Sequence, residues 1–193
     1  MPRITEKRRQ AQRARIIAAT QACFLRNGIH QTSVQDIIQE SGLSAGAVYG
    51  YFASKEELIL ASIATSMDTV IEVMDPIVMA PPTGGVFGAL KVIWESIGAR
   101  ARESGVDYGR LALLGLAEAQ NDAAVSAHLQ ERYKVLLARF TDLARQYDGV
   151  ADPGQVGRLG FVLMFGMSAA HSLFGPDAGF DADVLELLRG ATP

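Results

Sequence analysis

A single cysteine, Cys23, stands in the 193-residue chain, which excludes an internal disulfide and a cysteine metal cluster and fits a reducing compartment. Histidine is nearly as scarce. His30, His128 and His171 lie far apart, so no metal-ligand spacing exists, and no metal or other cofactor is expected. Sustained apolar/polar alternation is missing, which removes the basis for a sheet. No uninterrupted apolar run reaches the ~20 residues of a membrane span; the longest, from 159 to 174, contains Ser168, His171 and Ser172. The basic N-terminus MPRITEKRRQAQRAR leads into no apolar stretch with a small-residue cleavage site and so reads as no signal peptide. A cytoplasmic protein without membrane contact is expected.

Charge is distributed unevenly. Residues 1–53 carry seven Arg and Lys against three acidic groups, an excess of four positive charges, within a chain whose formal net charge is -3. The remaining 140 residues therefore carry an excess of seven negative charges. A basic head on an acidic body points to a polyanion as the head's partner.

What the chain has throughout is helical period. A first helix over about residues 6–27 places Ile16, Thr20 and Phe24 on one stripe and stops at Gly28. Thr32, with Gln35 three residues on, reads as the capping box of a short second helix that ends at Ser41-Gly42. A third begins at Ser44 and runs to about Phe52. Three helices in some fifty residues, the last two joined by a tight turn, is the helix-turn-helix layout. A fourth opens with the box Ser54-Lys55-Glu56-Glu57 and runs to about Asp75, before Pro76.

Beyond the loop PPTGG, Phe87, Leu90, Trp94, Ile97 and Ala101 line a fifth helix, and a sixth covers about 108–120. Asn121 reads as the cap of a seventh, whose stripe is Leu129, Tyr133, Leu136, Phe140, Leu143 and Tyr147. Asp152-Pro153 starts an eighth that is apolar nearly all round, and a ninth is expected over about 182–189. A helix apolar on every side needs neighbours on every side, and a second copy of the chain supplies them most simply.

Residues 42–46, GLSAG, match the G-x-S-x-G of a hydrolase nucleophile elbow. That elbow needs a strand running into the serine, and the preceding SVQDIIQES is patterned as a helix. A serine hydrolase is thus the weaker alternative. A nonspecific architectural DNA binder is another, and the expectation is no enzyme.

From Arg15 to Leu58 the chain resembles the N-terminal DNA-binding domain of the TetR family of bacterial transcriptional regulators. The resemblance rests on the Phe24-to-Gly28 end of the first helix, Thr32-Ser33-Val34, Asp36-Ile37, the Gly42-Leu43-Ser44 turn, Tyr49, Phe52 and Ser54-Lys55-Glu56-Glu57-Leu58. It implies an all-α fold of about nine helices, with a helix-turn-helix head over 1–53 and a helical effector-binding and dimerisation body over 54–193. The last two long helices would make a homodimer, and helix four would carry ligand binding to the heads.

The residue reading agrees. The N-terminus of a recognition helix meets base edges in the major groove of double-stranded DNA, here a palindromic operator. Ser44, Ala45, Gly46, Ala47 and Gly50 form its small-residue face, with hydroxyls or a charge for phosphates at Thr32, Ser33, Tyr49, Tyr51 and Lys55. Many relatives carry lysine in place of Ala45 and histidine or arginine in place of Gly50. No charge stands between Ser44 and Phe52, so the arginine-rich segment over residues 1–9, ahead of the first helix, is expected to supply affinity by entering a minor groove.

A repressor released by a hydrophobic or amphipathic small molecule is expected. Candidate lining residues of the effector pocket are Met74, Phe87, Trp94, Tyr108, Leu111, Tyr133, Met164, Met167 and His171.

Overall fold

Most helix starts among the described residues are set by a side-chain cap. The computed structural model describes residues 5–175, which are helix and turn with no strand among them. Eight helices follow in order: α1 Glu6–Asn27, α2 Val34–Ser41, α3 Ala45–Tyr49, α4 Lys55–Met79, α5 Gly85–Ser104, α6 Tyr108–Ala119, α7 Ala123–Arg145 and α8 Pro153–Phe174. The expected ninth helix lies outside the described residues.

Two caps sit one residue later than expected. Ser33, not Thr32, caps α2: its hydroxyl accepts from the Asp36 N–H at 3.1 Å, and the Asp36 carboxylate accepts from the Ser33 N–H at 2.7 Å. The reciprocal partner is therefore Asp36 and not Gln35. Asp122, not Asn121, caps α7, accepting from the N–H groups of Ala124 and Val125. A carboxylate is the better acceptor beside the positive end of a helix. The third helix is shorter than expected, ending at Tyr49.

Pro76 does not end α4, which runs on to Met79. Proline there loses one backbone bond, but the extra turn buries Ile77 beside Ile71 and Met74, and the Ala80 N–H still reaches the Pro76 carbonyl at 3.0 Å. Burying an isoleucine contributes about 2 kcal/mol, enough to offset most of the proline penalty of about 3 kcal/mol. On α5 the buried stripe is Ala89, Leu90 and Ile93 rather than one centred on Trp94, which is only half-buried.

Two apolar clusters fill the interior. The first joins Ile16, Phe24, Ile37, Val48, Phe52 and Leu58 to Ile63, Leu111, Val125 and Leu129, so the core of the three N-terminal helices continues into α4, α6 and α7. The second gathers Met74, Leu90, Ile93, Phe140, Leu143, Met164 and Met167. Helix α4 passes through both. It is fastened to α1 by the buried Gln21 amide, which donates to the Ser62 carbonyl at 3.2 Å and to Ser66 Oγ at 3.1 Å.

At 22 residues, α8 is long and apolar enough to cross a membrane by length and composition alone, longer than the apolar run counted from the sequence. Its Gly157, Gly160, Met164 and Met167 are instead buried against the other helices. The opposite face leaves Leu159, Val162 and Leu173 exposed, each above 50%.

Candidate nucleic-acid interface and effector cavity

The turn before α3 is made possible by Gly42, whose φ of 62° lies in the left-handed region that costs a side chain about 1–2 kcal/mol. Its N–H closes α2 on the carbonyls of Ile38 and Gln39 at 3.1 and 3.2 Å. Two residues later Ser44 Oγ accepts from the Ala47 N–H at 3.2 Å, capping α3. Val48 and Phe52 anchor this short helix in the first core cluster. Ser44, Ala45, Gly46, Tyr49 and Gly50 are exposed, and Ala47 is half-buried. A small, uncharged first turn thus faces solvent, and its capping serine follows a helix and not a strand.

One cation that the local sequence does not announce reaches this turn. The Arg15 guanidinium of α1 lies 2.8 Å from where a Cβ on Gly42 would sit. No short-range spacing rule links residues 15 and 42; only the packing of α1 on α2 does so. Lys7, Arg8 and Arg9 lie within α1, so these three cations of the 1–9 segment are helical, while residues 1–4 lie outside the described residues.

Other candidates face inward. Thr32 is buried, and its hydroxyl donates to the carbonyls of Cys23 at 3.2 Å and Gly28 at 2.7 Å. It stitches the α1–α2 loop to the end of α1. Thr32→Val is expected to destabilise the fold by about 1–3 kcal/mol, because two carbonyls lose a partner. Chemical denaturation checks the loss.

Tyr51 donates from its hydroxyl to Gln12 Oε1 at 2.8 Å, bracing the end of α3 on α1. Lys55, at the start of α4, donates to the His30 carbonyl at 3.3 Å and sits beside the same loop. Ser33 is exposed with its hydroxyl and N–H both on Asp36, whose carboxyl these bonds hold below the usual aspartate range. Burial pushes the Cys23 thiol up, so it remains a neutral core group.

In the body, a cavity of about 90 Å³ lies between α4, α5, α6, α7 and α8. Of the expected residues, Tyr108, Leu111, Tyr133 and Met164 line it, joined by Ile63, Met67, Val70, Phe161 and Phe165. Burial raises the Tyr133 hydroxyl above its ordinary pKa. A wider vestibule of about 610 Å³ adjoins it, sharing Ile97, Tyr108, Gly109 and Ser168.

Trp94 and His171 line the vestibule, their rings edge to face at 5.8 Å, with Arg102, Glu95 and Asp107 at its rim. At the shared throat Gly109 lets α6 approach α8; a Cβ there would stand 2.6 Å from the Ser168 carbonyl oxygen. Met74, Phe87 and Met167 line neither space. They belong to the second core cluster, Met74 and Met167 buried within it and Phe87 packed against it.

Known proteins share this arrangement. Residues 16–62 match the family model of bacterial regulatory proteins of the tetR family. YfiR of Bacillus subtilis, described as an uncharacterized HTH-type transcriptional regulator, is 25% identical over 145 residues, 75% of this chain and 69% of that one. The structure of Salmonella enterica GusR is 27% identical with a TM-score of 0.67, covering 97% of both chains. The fold is also that of the transcriptional regulator FadR from Bacillus subtilis, solved in complex with stearoyl-CoA. Its TM-score is 0.73 at 19% identity, over 94% of this chain and 100% of that one. The relatives are transcriptional regulators, which removes the hydrolase reading of GLSAG.

Proposed function

We propose that this chain, a DNA-binding transcriptional regulator of the tetR family, is a cytoplasmic homodimeric repressor that leaves a palindromic operator when an amphipathic small molecule enters its body. The observation that carries the reading is the first turn of α3. Ser44, Ala45 and Gly46 are exposed, uncharged and small, so the helix backbone can approach base edges, and Arg15 adds a cation at the adjoining turn. Ala45 and Ala47 offer methyl groups to thymine; the exposed Tyr49 is placed for phosphates, and Lys55 keeps N–H donors beyond its bond to the His30 carbonyl. The exposed apolar face of α8 supports pairing with a second copy, which would set two α3 helices about 34 Å apart.

The ligand class follows from the two adjoining spaces, which share Ile97, Tyr108, Gly109 and Ser168 in their walls. A chamber of about 90 Å³ admits only the apolar end of a molecule, while the vestibule of about 610 Å³ can hold a polar remainder near Arg102. The stearoyl-CoA of the FadR complex has that shape, an acyl chain on a polar, anionic head. Filling the chamber would press on Ile63, Met67 and Val70 of α4, the helix that begins at Lys55 beside the DNA-binding head. A ligand that prefers the displaced α4 shifts the population away from operator spacing.

Selection of bound DNA from a random pool at fixed salt tests the reading. Enrichment of a palindrome with half-sites about one turn apart is expected; equal recovery of all sequences would instead identify a nonspecific architectural binder. For the effector arm, Arg102→Ala removes the cation of the vestibule without filling the chamber, with little change expected to the operator complex. It should raise the concentration of a long-chain acyl thioester needed for release by tenfold or more. Release at the same concentration would place the ligand elsewhere.

A further inference from the structure

A third space, of about 370 Å³, lies between the DNA-binding head and the body, and neither the operator nor the effector reading uses it. Its walls come from α1, α4, the end of α5 and the start of α6. Two arginines line it, Arg13 from the head and Arg100 from the body, and among the described residues no carboxylate does. The whole chain is acidic, with net charge -3, so a cleft with two guanidinium groups and no acid in its lining is a local reversal of sign.

The polar groups in the cleft divide into those already used and those still able to donate. Thr69 Oγ1 donates to the Thr65 carbonyl at 2.9 Å, and Ser104 Oγ to the Arg100 carbonyl at 2.8 Å. The guanidinium groups are less engaged. Arg13 lies over the Phe52 ring at 5.4 Å, a cation–π contact rather than an ion pair. The ion-pair partner of Arg100 among the described residues is Glu103 at 3.9 Å, with both side chains more than half exposed, a contact of little strength. Ile17 and Val106 give the same cleft an apolar floor.

We propose that this cleft is a second ligand site, for a small organic anion whose carboxylate or phosphate is held between Arg13 and Arg100. The volume lies in the range of small-molecule sites, about 300–1,000 Å³, and two guanidinium forks are the donors best matched to a planar or tetrahedral oxyanion. A molecule held there touches the head and the body at once. It therefore sets the angle between them, and operator affinity and anion affinity must change by the same factor in each other's presence. Tyr108 lines the cleft, the vestibule and the inner chamber, so the two proposed ligand sites share one residue.

The test is a calorimetric titration of the full chain, without DNA, with benzoate and separately with inorganic phosphate, ionic strength being held constant with sodium chloride. Saturable one-site binding of at least one probe is expected, weakened tenfold or more by Arg100→Gln and blocked by Ser104→Phe, which fills the cleft. Both positions are exposed, and circular dichroism confirms that each variant folds. Absence of saturable binding overturns the site, as does binding that Arg100→Gln leaves unchanged. If Arg13→Gln weakens operator binding but not anion binding, Arg13 belongs to the DNA phosphates and the proposal fails. DNA selection is independent of all three results, so loss of this site leaves the operator reading standing.

Discussion

Ala45→Glu is expected to fold like the parent and to bind its selected operator at least a hundredfold more weakly. Ala45 is the first residue of α3 and exposed, so the new carboxylate meets no neighbour. A negative charge in the first turn of a helix is, if anything, favourable to the isolated fold. On DNA the same carboxylate would lie among phosphates. At a separation of about 6 Å and an effective dielectric of about 20, one such pair repels by about 3 kcal/mol, and a hundredfold loss corresponds to about 2.7 kcal/mol. Ala45→Lys gives the opposite sign: tighter binding, with a salt dependence steeper by about one counterion. Fluorescence anisotropy over a salt series reads both. An Ala45→Glu affinity within threefold of the parent would show that α3 does not enter the groove.

The all-α class and the helix-turn-helix were legible because amphipathic period, caps and a turn glycine are local signals. Gly42 illustrates this: a left-handed residue between two short apolar-faced helices has few other uses. The caps misread by one residue, at Thr32 and Asn121, fail for two different reasons, the first tertiary and the second local. Both neighbours in each pair can cap, and the choice is made by burial of the Thr32 hydroxyl under the α1–α2 loop and by the stronger acceptor at Asp122.

Arg15 was invisible at the turn because its proximity to Gly42 depends on how α1 packs. The lining of the body cavity was only half legible. Tyr108, Leu111, Tyr133 and Met164 were found among apolar residues of the right helices, but Met74 and Met167 satisfy the same pattern while filling a core. In α8 the failure has a clear physical form: a helix apolar all round carries no phase, so its sequence does not say which face meets the protein.

That missing phase is supplied by glycines, and it leads to the largest stability effect expected. A Cβ on Gly157 would lie 2.7 Å from the backbone nitrogen and Oγ1 of Thr141 and 2.8 Å from its Cα. Two of these three are backbone atoms of α7, so no rotamer change relieves the clash and the helices must separate. Helices α7 and α8 form an extended contact that includes Phe140 and Met164 of the second core. Separating them opens that core along its length. Gly157→Ala should therefore lower the unfolding free energy by about 1–3 kcal/mol, the usual range for overpacking, and Gly157→Val by more.

Gly166 stands on the same helix, with nothing within 4 Å of its hypothetical Cβ. There, Gly166→Ala should leave the fold unharmed or stabilise it by up to about 1 kcal/mol, the helix-propensity difference between the two residues. Urea denaturation at several protein concentrations separates these effects from self-association, because a dimer contribution changes with concentration and a clash inside one chain does not. Equal losses at both positions would mean that α8 is sensitive to any added methyl; opposite signs assign the sensitivity to the α7 crossing and leave the Gly166 face free for another chain.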